Sequence, residues 1–492
     1  MSGVETGRIT TDIPARMDRL PWARWHWLIV LGLGGVWILD GLEVTIVGSM
    51  SAALEPEGTG LGLSTFDVGL AGAVYVAGAC IGALFFGQLT DRFGRKKLFM
   101  ITLAVYTIAT VLTAFSMNPM WYFACRFLTG AGIGGEYAAI NSAIDELIPA
   151  KFRGRVDIAI NGSFWVGAGA GALLTIPLLD PTKVDPEFGW RLAFGLGAVL
   201  AVGVLFIRKY VPESPRWLYI HGRDEEGDQI VRDIEQKVQD DLGRDLPSVS
   251  ETITIRQRKT IGLPLIAKTV FTLYPKRTVL CLSLFIGQAF LYNAFFFTYG
   301  PTLETFLDVT QTGYFIAAFA ASNFAGALIL STLFDTVGRV KMIAGTYILS
   351  GSLLGIAGFY LGSFSALSLT AMGMVIFFFA SAGASSAYLT ASEIFPMETR
   401  ALCIAFFYAV GTAAGGIAGP LYFGSLIENA KDITDIAPGY FVGAALMIAG
   451  GVVAIFLGVH AEGKTLEDIA RPLTAEDDAP GTESDRREPA RA

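Results

Sequence analysis

Long runs of apolar residues alternate with short polar segments along almost the whole chain. An apolar run of about 18 or more residues can cross the ~30 Å hydrocarbon core of a membrane as a helix. The pattern therefore predicts an all-α membrane protein. The sixth run is the shortest. We predict twelve membrane-spanning helices, at residues 27–50, 68–89, 98–115, 120–140, 158–179, 192–207, 278–299, 312–334, 342–361, 366–392, 401–423 and 437–459.

The polar segments divide the chain into regions. The middle segment has Ile and Val at helical spacing, so we expect a cytoplasmic linker with short amphipathic helices. The end of the chain is rich in Asp, Glu, Arg, Pro and Ala, which is typical of disorder. We predict an N-terminal tail at 1–24, a six-helix bundle at 25–210, the linker at 211–275, a second six-helix bundle at 276–460, and a largely disordered tail at 461–492.

Basic residues cluster on one side of the predicted spans. Cytoplasmic loops of membrane proteins carry an excess of Lys and Arg, so both termini are expected in the cytoplasm. We expect a multi-pass protein of the plasma (inner) membrane. The residues that set this orientation are Arg16, Arg19, Arg24, Arg92, Arg95, Lys96, Lys97, Lys151, Arg153, Arg155, Arg208, Lys209, Arg339, Lys341 and Arg400.

Two short motifs occur twice, in the same order and at nearly the same spacing. GQLTDRFGRKK at 87–97 returns as STLFDTVGRVK at 331–341, and ELIPAKFR at 146–153 returns as EIFPMETR at 393–400. Two independent repeats indicate a duplicated half-protein. Membrane proteins built from two repeated bundles place a substrate site between them and work by alternating access.

The repeated motifs bring acidic and basic residues to the same helix ends. Carboxylate–guanidinium pairs are geometrically specific and favoured where water is partly excluded. Pairs that form when the cytoplasmic side closes and break when it opens would act as a latch; permanent bridges between helices are the alternative. The predicted cytoplasmic gate residues are Asp91, Arg95, Glu146, Arg153, Asp335, Arg339, Glu393 and Arg400.

Composition excludes several classes of protein. Hydrophobic residues make up 53% of the chain and charged residues only 16%, against roughly 25% charged in soluble domains. The net charge of -8 argues against nucleic acid as a partner. The four cysteines lack metal-ligand spacing, and the three histidines lie at or beyond membrane boundaries. We therefore expect no metal, no other cofactor and no enzymatic activity.

A few ionisable residues interrupt the apolar runs. Asp40 and Glu43 share a face of the first helix, and Arg126 in the fourth lies at a similar depth. Ionisable residues inside a membrane are costly, and are usually paired or functional. We interpret these three as proton-coupling residues; a fixed ion pair between the helices is the alternative. Glu136 is a further candidate, with a hydrogen-bonded structural role as its alternative.

Taken together, these motifs resemble the major facilitator superfamily, on its sugar-porter-like branch. PESPRWL at 212–218 is similar to a sugar-porter signature, and GKTLED at 463–468 resembles the end of the closing motif without its usual Pro-Glu-Thr. The resemblance covers roughly residues 20–470 and implies two pseudo-symmetric six-helix bundles. It also implies that Glu43 and Arg126 match an Asp–Arg pair of proton-coupled sugar porters. The Asp-Gly-x-acid pattern that begins at Asp40 resembles aromatic-acid/proton symporters.

The same resemblance suggests a substrate site near the midplane. In helix 7, Gln288 and Asn293 match sugar-contacting amides, whereas Gly287 replaces the first glutamine of the pair. Asn161 matches another amide position. A site with few amides and many aromatics favours a ligand with fewer hydroxyls than a sugar. The predicted substrate-binding residues are Asn161, Trp165, Gln288, Tyr292, Asn293 and Tyr388, with Phe290 and Phe295 as further aromatic candidates.

These observations favour a secondary active transporter, most simply a monomeric proton-coupled symporter of a carboxylated or aromatic metabolite. A sugar or polyol porter and a drug exporter are alternatives, as is a non-transporting sensor on the same fold. The expected partners are a small organic solute, protons and the lipid bilayer.

Overall fold

A computed structural model describes residues 5–54, 60–63, 65–209, 211–258, 267–309 and 312–473. Long helices dominate this part of the chain, and eleven spans in it are long and apolar enough to cross a membrane. The remaining long helix, the fourth, carries several charged residues. The twelve helices are α1 (Arg24–Ser49), α2 (Thr65–Phe93), α3 (Arg95–Ala114), α4 (Pro119–Leu147), α5 (Arg153–Leu178), α6 (Pro186–Arg208), α7 (Pro275–Leu307), α8 (Thr312–Thr336), α9 (Arg339–Phe359), α10 (Ala366–Glu393), α11 (Arg400–Asn429) and α12 (Ala437–Leu457).

Local signals explain where several helices begin. The Asn118 side chain accepts a hydrogen bond from the Trp121 backbone N–H at the start of α4. Between α2 and α3 the chain turns at Gly94, with φ at 94°, and between α8 and α9 at Gly338, with φ at 110°. Only glycine adopts this backbone region readily. The glycine of the repeated motif is therefore required by the same tight turn in both halves.

Two counterpart helices are irregular at the same place in each half. The regular helix of α5 is interrupted at Ser163, whose hydroxyl lies 2.6 Å from the Ile160 carbonyl oxygen and 3.1 Å from that of Gly34. α11 contains a π-helical segment, Thr412–Ile417. Such irregular turns are frequent at functional sites.

The halves, α1–α6 and α7–α12, meet where α5 packs on α8 and α2 packs on α11. Small residues allow the helices to approach closely. A Cβ atom at Gly162 would lie 2.3 Å from the Ala327 Cβ, and one at Gly87 would lie 2.8 Å from the Ala405 Cβ. Glycine is therefore needed at both inter-half contacts.

Short elements gather at one end of the bundle, where α3 and α9 begin and α4 and α10 end. We call this the basic end. A short helix at Ile13–Asp18 packs on the linker helix Asp224–Leu242, and Arg16 pairs with Glu235 at 2.6 Å. Strands β1 (Glu5–Thr11) and β2 (Ile253–Arg258) pair antiparallel, an element that we did not predict.

Candidate functional site

A cavity of about 160 Å³ lies between the two halves. The first half lines it from α1, α2, α4 and α5, and the second from α7, α10 and α11. This is the arrangement expected of a transporter site between two repeated bundles. The lining residues are Trp37, Asp40, Val44, Tyr75, Val76, Ala79, Tyr137, Asn161, Phe164, Trp165, Gln288, Ala289, Tyr292, Asn293, Ser381, Ala384, Ser385, Tyr388, Tyr408 and Thr412.

The cavity brings together all six predicted substrate residues. Their role in binding a solute remains a prediction. Phe290 and Phe295 are not on its wall. Phe295 instead stacks on Phe319, with ring centroids 5.7 Å apart, and on Tyr299 at 5.2 Å. These contacts place Phe295 in the packed interior of the second half, so our assignment of the two phenylalanines to the site was wrong.

Aromatic rings form most of the wall. Trp37 stacks on Tyr137 with centroids 4.6 Å apart, and its edge meets Tyr388 at 5.5 Å. Trp165 lies 5.4 Å from Tyr292, so this contact joins the two halves across the cavity. Aromatic pairs in such arrangements contribute roughly 0.5–1.5 kcal/mol beyond their buried area. The rings give the cavity flat, apolar walls.

The side-chain amides in the wall differ in how many hydrogen bonds they already make to other protein groups. The Asn161 amide donates to Asn141 Oδ1 at 3.0 Å, and the Asn293 amide donates to the Ala289 carbonyl at 2.8 Å. No hydrogen bond joins the Gln288 side chain to the described residues. Gln288 is therefore the amide with both polar ends available to a ligand.

Asp40 is the carboxylate of the cavity wall. It is 1% exposed, and it accepts hydrogen bonds from the Tyr75 hydroxyl at 2.5 Å and from the Tyr137 hydroxyl. Among the described residues that line the cavity, none is Arg, Lys or His. The carboxyl group of Asp40 is therefore held by two tyrosine hydroxyls, with no cation on the described cavity wall. Sequence reasoning missed both tyrosines, although Tyr137 directly follows Glu136.

Glu43 and Arg126 form a buried ion pair between α1 and α4. Glu43 also accepts a hydrogen bond from Thr110 at 3.1 Å. The Arg126 guanidinium lies 5.1 Å from the Phe194 ring centroid. The pairing predicted from the resemblance is present, but neither residue is on the cavity wall. A direct role in solute contact has no support from this geometry.

Glu136 has a partner that the sequence did not reveal. Arg208 lies 3.0 Å from the Glu136 carboxylate, and Thr102 donates to the same carboxylate at 2.5 Å. The Arg208 guanidinium also lies 4.1 Å from the Phe99 ring centroid. All four residues belong to the first half. We had interpreted Arg208 as a basic loop residue, but it is buried.

The predicted gate residues lie at the basic end. Arg95 pairs with Glu146 at 2.9 Å, and Arg339 pairs with Glu393 at 2.9 Å. These two bridges are equivalent under the repeat. Arg339 also contacts Asp335 at 2.8 Å. The side chain of Asp91, the counterpart of Asp335, lies outside the described residues.

Other gate contacts cross from one half to the other. Arg155 donates from its backbone N–H to Asp335 at 2.9 Å. Asp145 lies between Arg153, at 3.9 Å, and Arg400, at 3.8 Å. The sequence placed Arg153 and Arg400 beside Glu146 and Glu393; the structure instead brings both arginines to Asp145. Because Asp145 belongs to α4 and Arg400 to α11, their ion pair bridges the halves at the basic end, whereas the Arg153–Asp145 pair lies within the first half.

The segment after α6 tightens this end further. Glu213 accepts hydrogen bonds from the backbone N–H groups of Arg95, at 2.8 Å, and Lys96, at 3.2 Å, and thus caps α3. Burial raises the pKa of the Glu213 carboxyl. Arg216 contacts Asp18 at 3.0 Å and Glu467 at 3.2 Å. The PESPRWL motif therefore ties the linker to both chain ends.

Comparison with known proteins now identifies the family. The family model described as Sugar (and other) transporter matches residues 42–473. The chain belongs to this transporter family. It is therefore a multi-pass membrane transporter, not an enzyme. The major facilitator fold that the resemblance implied is confirmed, because the chain superposes on the proton:xylose symporter XylE with a TM-score of 0.71 at 19% identity, over 90% of this chain and 98% of XylE.

Two relatives match over nearly their whole length. The chain is 28% identical to the niacin transporter NiaP of Acinetobacter baylyi, over 93% of this chain and 99% of NiaP. It is 27% identical to the 4-hydroxybenzoate transporter PcaK of the same organism, over 92% of this chain and 95% of PcaK.

Proposed function

We propose that this transporter carries a small aromatic carboxylate together with protons across the plasma membrane, as a monomer with both termini in the cytoplasm. One observation carries the proposal. The cavity between the halves is small, and aromatic rings form most of its wall. Among the described residues of that wall, Asp40 is the one acidic residue, and none is Arg, Lys or His.

The size and wall of the cavity favour a single-ring solute. Pockets for drug-sized ligands measure roughly 300–1,000 Å³, well above the 160 Å³ available here. A hexose would need partners for several hydroxyls, whereas the amides of Asn161 and Asn293 already donate to protein oxygens. A flat ring packed against Trp165, Tyr292 and Tyr388, with one polar contact to Gln288, fits better. The names of NiaP and PcaK denote transport of niacin and 4-hydroxybenzoate, both single-ring aromatic carboxylates.

Asp40 supplies a physical basis for coupling. An ionised Asp40 repels a carboxylate that enters the same low-dielectric cavity. A protonated Asp40 removes that repulsion and still hydrogen-bonds to Tyr75 and Tyr137. The proton and the anion therefore bind together, and the proton gradient drives transport of the anion across the membrane. Glu43 and Arg126 hold α1 against α4 and keep Asp40 in place.

The ion pairs at the basic end complete the cycle. In the described arrangement Arg155–Asp335 and Arg400–Asp145 bridge the halves. Opening this end would break those contacts while the cavity residues of each half move apart. The gate therefore exposes the cavity to the cytoplasm only after its salt bridges separate.

Uptake into proteoliposomes tests this proposal. We expect labelled nicotinate or 4-hydroxybenzoate to accumulate when the lumen is more alkaline than the outside, and not when a protonophore is present. Glucose and xylose are the matched solutes, and should neither accumulate nor compete. Saturable hexose transport insensitive to aromatic acids would establish a sugar porter instead. Binding of the acids without any flux would indicate a sensor.

A further inference from the structure

Asp157 is a buried carboxylate that the transport site does not use. It lies on α5, one helical turn from Arg153 at the basic end and one turn from Asn161 in the cavity wall. Its side chain is 0% exposed. Neither carboxylate oxygen has a hydrogen-bond partner among the described residues. Asp145 also lacks hydrogen bonds to its carboxylate, but it has arginine nitrogens within 4 Å, and no such ion pair is formed by Asp157 among the described residues.

The neighbouring carboxylates all have guanidinium partners. Asp145 of α4 lies between Arg153 and Arg400, and Glu393 of α10 pairs with Arg339 of α9. On α8, Asp335 contacts the same Arg339 at 2.8 Å. α1 also packs on this part of α5, and its titratable residue on the cavity wall is Asp40. Burial has the largest effect on the Asp157 carboxyl. The charged groups that act on it are Asp145, Glu393 and the already paired Arg339, and the Asn161 side chain is a further polar neighbour.

An ionised carboxylate without a partner is very costly to bury, and such a group takes up a proton instead. A neutral Asp157 carries an O–H donor. Asn161 Oδ1, one turn away on the same face of α5, is a buried acceptor that also lacks a partner among the described residues. The environment therefore suits the acid form of Asp157.

Several hydrogen-bonded polar groups lie between this position and Asp40. The Asn161 amide donates to Asn141 Oδ1, and the Asn141 amide donates to the Tyr137 carbonyl at 2.8 Å. The Tyr137 hydroxyl in turn donates to Asp40. These bonds place polar groups of α4 and α5 between the cavity and the basic end, with a break between the backbone carbonyl and the hydroxyl of Tyr137.

We infer that Asp157 is a second proton-binding group, which takes up a proton when the basic end closes and releases it when that end opens. Closure buries Asp157 among the paired ions of both halves, and opening hydrates it. Release of the proton on the basic side follows from opening. This inference rests on the proposed proton coupling, but its test needs neither solute nor gradient.

The test measures opening at the basic end as a function of pH. A single reporter cysteine replaces Ser331, which lies on α8 between Ala327, packed on Gly162, and Asp335, bound to Arg155. The four native cysteines, all buried, are replaced by serine. Labelling by a water-soluble thiol reagent is normalised to the rate in denatured protein, which removes the intrinsic pH dependence of the thiol.

We expect the normalised rate to rise with pH, since closure binds a proton. Asp157→Asn should lower the rate and reduce its pH dependence by about one proton, a change of about tenfold per pH unit. Asp157→Glu should retain the dependence. Asp335→Asn is the matched control, and should raise labelling at every pH without changing the slope.

Asparagine has the shape of a protonated aspartate but cannot release a proton. If the labelling rate of Asp157→Asn depends on pH as strongly as that of the parent, Asp157 is not the group that titrates and the inference is overturned. Asp157→Ser supplies a second neutral variant if Asp157→Asn does not elute as a monodisperse protein. A lost slope together with absent proton-driven uptake would refute the proposed function while retaining proton binding at Asp157.

Discussion

The two halves share their helices and their gate motif but differ inside the membrane. The tight turns at Gly94 and Gly338 and the bridges Arg95–Glu146 and Arg339–Glu393 are equivalent. The interiors are not equivalent. The first half buries the charged residues Asp40, Glu43, Arg126, Glu136, Asp157 and Arg208, whereas the described second-half residues of the cavity wall are uncharged: Gln288, Ala289, Tyr292, Asn293, Ser381, Ala384, Ser385, Tyr388, Tyr408 and Thr412.

This difference suggests a division of labour after duplication. Both halves retained the parts that close one end of the bundle, since closure needs matching surfaces. The central positions were free to diverge, because the cavity needs a group that binds a proton on only one side and can contact the solute from the other. We interpret the first half as the part that handles protons and the second half, together with Asn161 and Trp165 of the first, as the part that recognises the solute.

The largest expected effect concerns the stability of the first half. Glu43→Gln leaves the Arg126 guanidinium buried and uncompensated, and removing one partner of a buried pair costs about 3–5 kcal/mol. Arg126→Gln removes the other partner of the same pair and should also destabilise the protein, because it leaves the Glu43 carboxyl group buried without its arginine. Thermal unfolding in detergent measures both. Equal stability of Glu43→Gln and the parent would mean that this pair does not hold α1 and α4 together.

A smaller effect distinguishes the two gate bridges. Arg339→Ala removes contacts to Glu393 and Asp335, and Asp335 also bonds to Arg155 across the interface. Loss of charge-assisted bonds of about 1.5–3 kcal/mol each should raise labelling of the Ser331→Cys reporter at least roughly tenfold. Each bridge lies within one half, but Arg339 also holds Asp335, which bonds to Arg155 of the other half, so Arg95→Ala should change labelling less. Equal effects would contradict an asymmetric gate.

The sequence predicted the fold because hydropathy and repeats are signals that lipid imposes on every span. It also predicted the six wall residues, because the repeat and the resemblance fix their helix positions. Asp157 and Arg208 were missed. Both lie at the edges of apolar runs, where a charged residue is normally solvated, and only tertiary packing buries them. The β1–β2 pair was missed because its strands are far apart in sequence.

The smallest effect concerns the recognition wall. Gln288→Ala removes an amide that is available to the solute, worth about 0.5–1.5 kcal/mol for a neutral hydrogen bond, so KM should rise by roughly 2- to 10-fold. Asn293→Ala is the matched control. Its amide already donates to the Ala289 carbonyl, so KM should change less. Neither variant should alter the dependence of accumulation on the pH gradient; a changed dependence would place coupling in the second half.

The most direct test of this division is uptake by Asp40→Asn in proteoliposomes, measured both as accumulation against a gradient and as counterflow exchange. Each coupled proton supports about tenfold accumulation per pH unit. We predict that Asp40→Asn loses pH-driven accumulation of the aromatic acid but retains counterflow, because a permanently neutral wall admits the anion without a proton. Accumulation by Asp40→Asn equal to that of the parent would contradict the account.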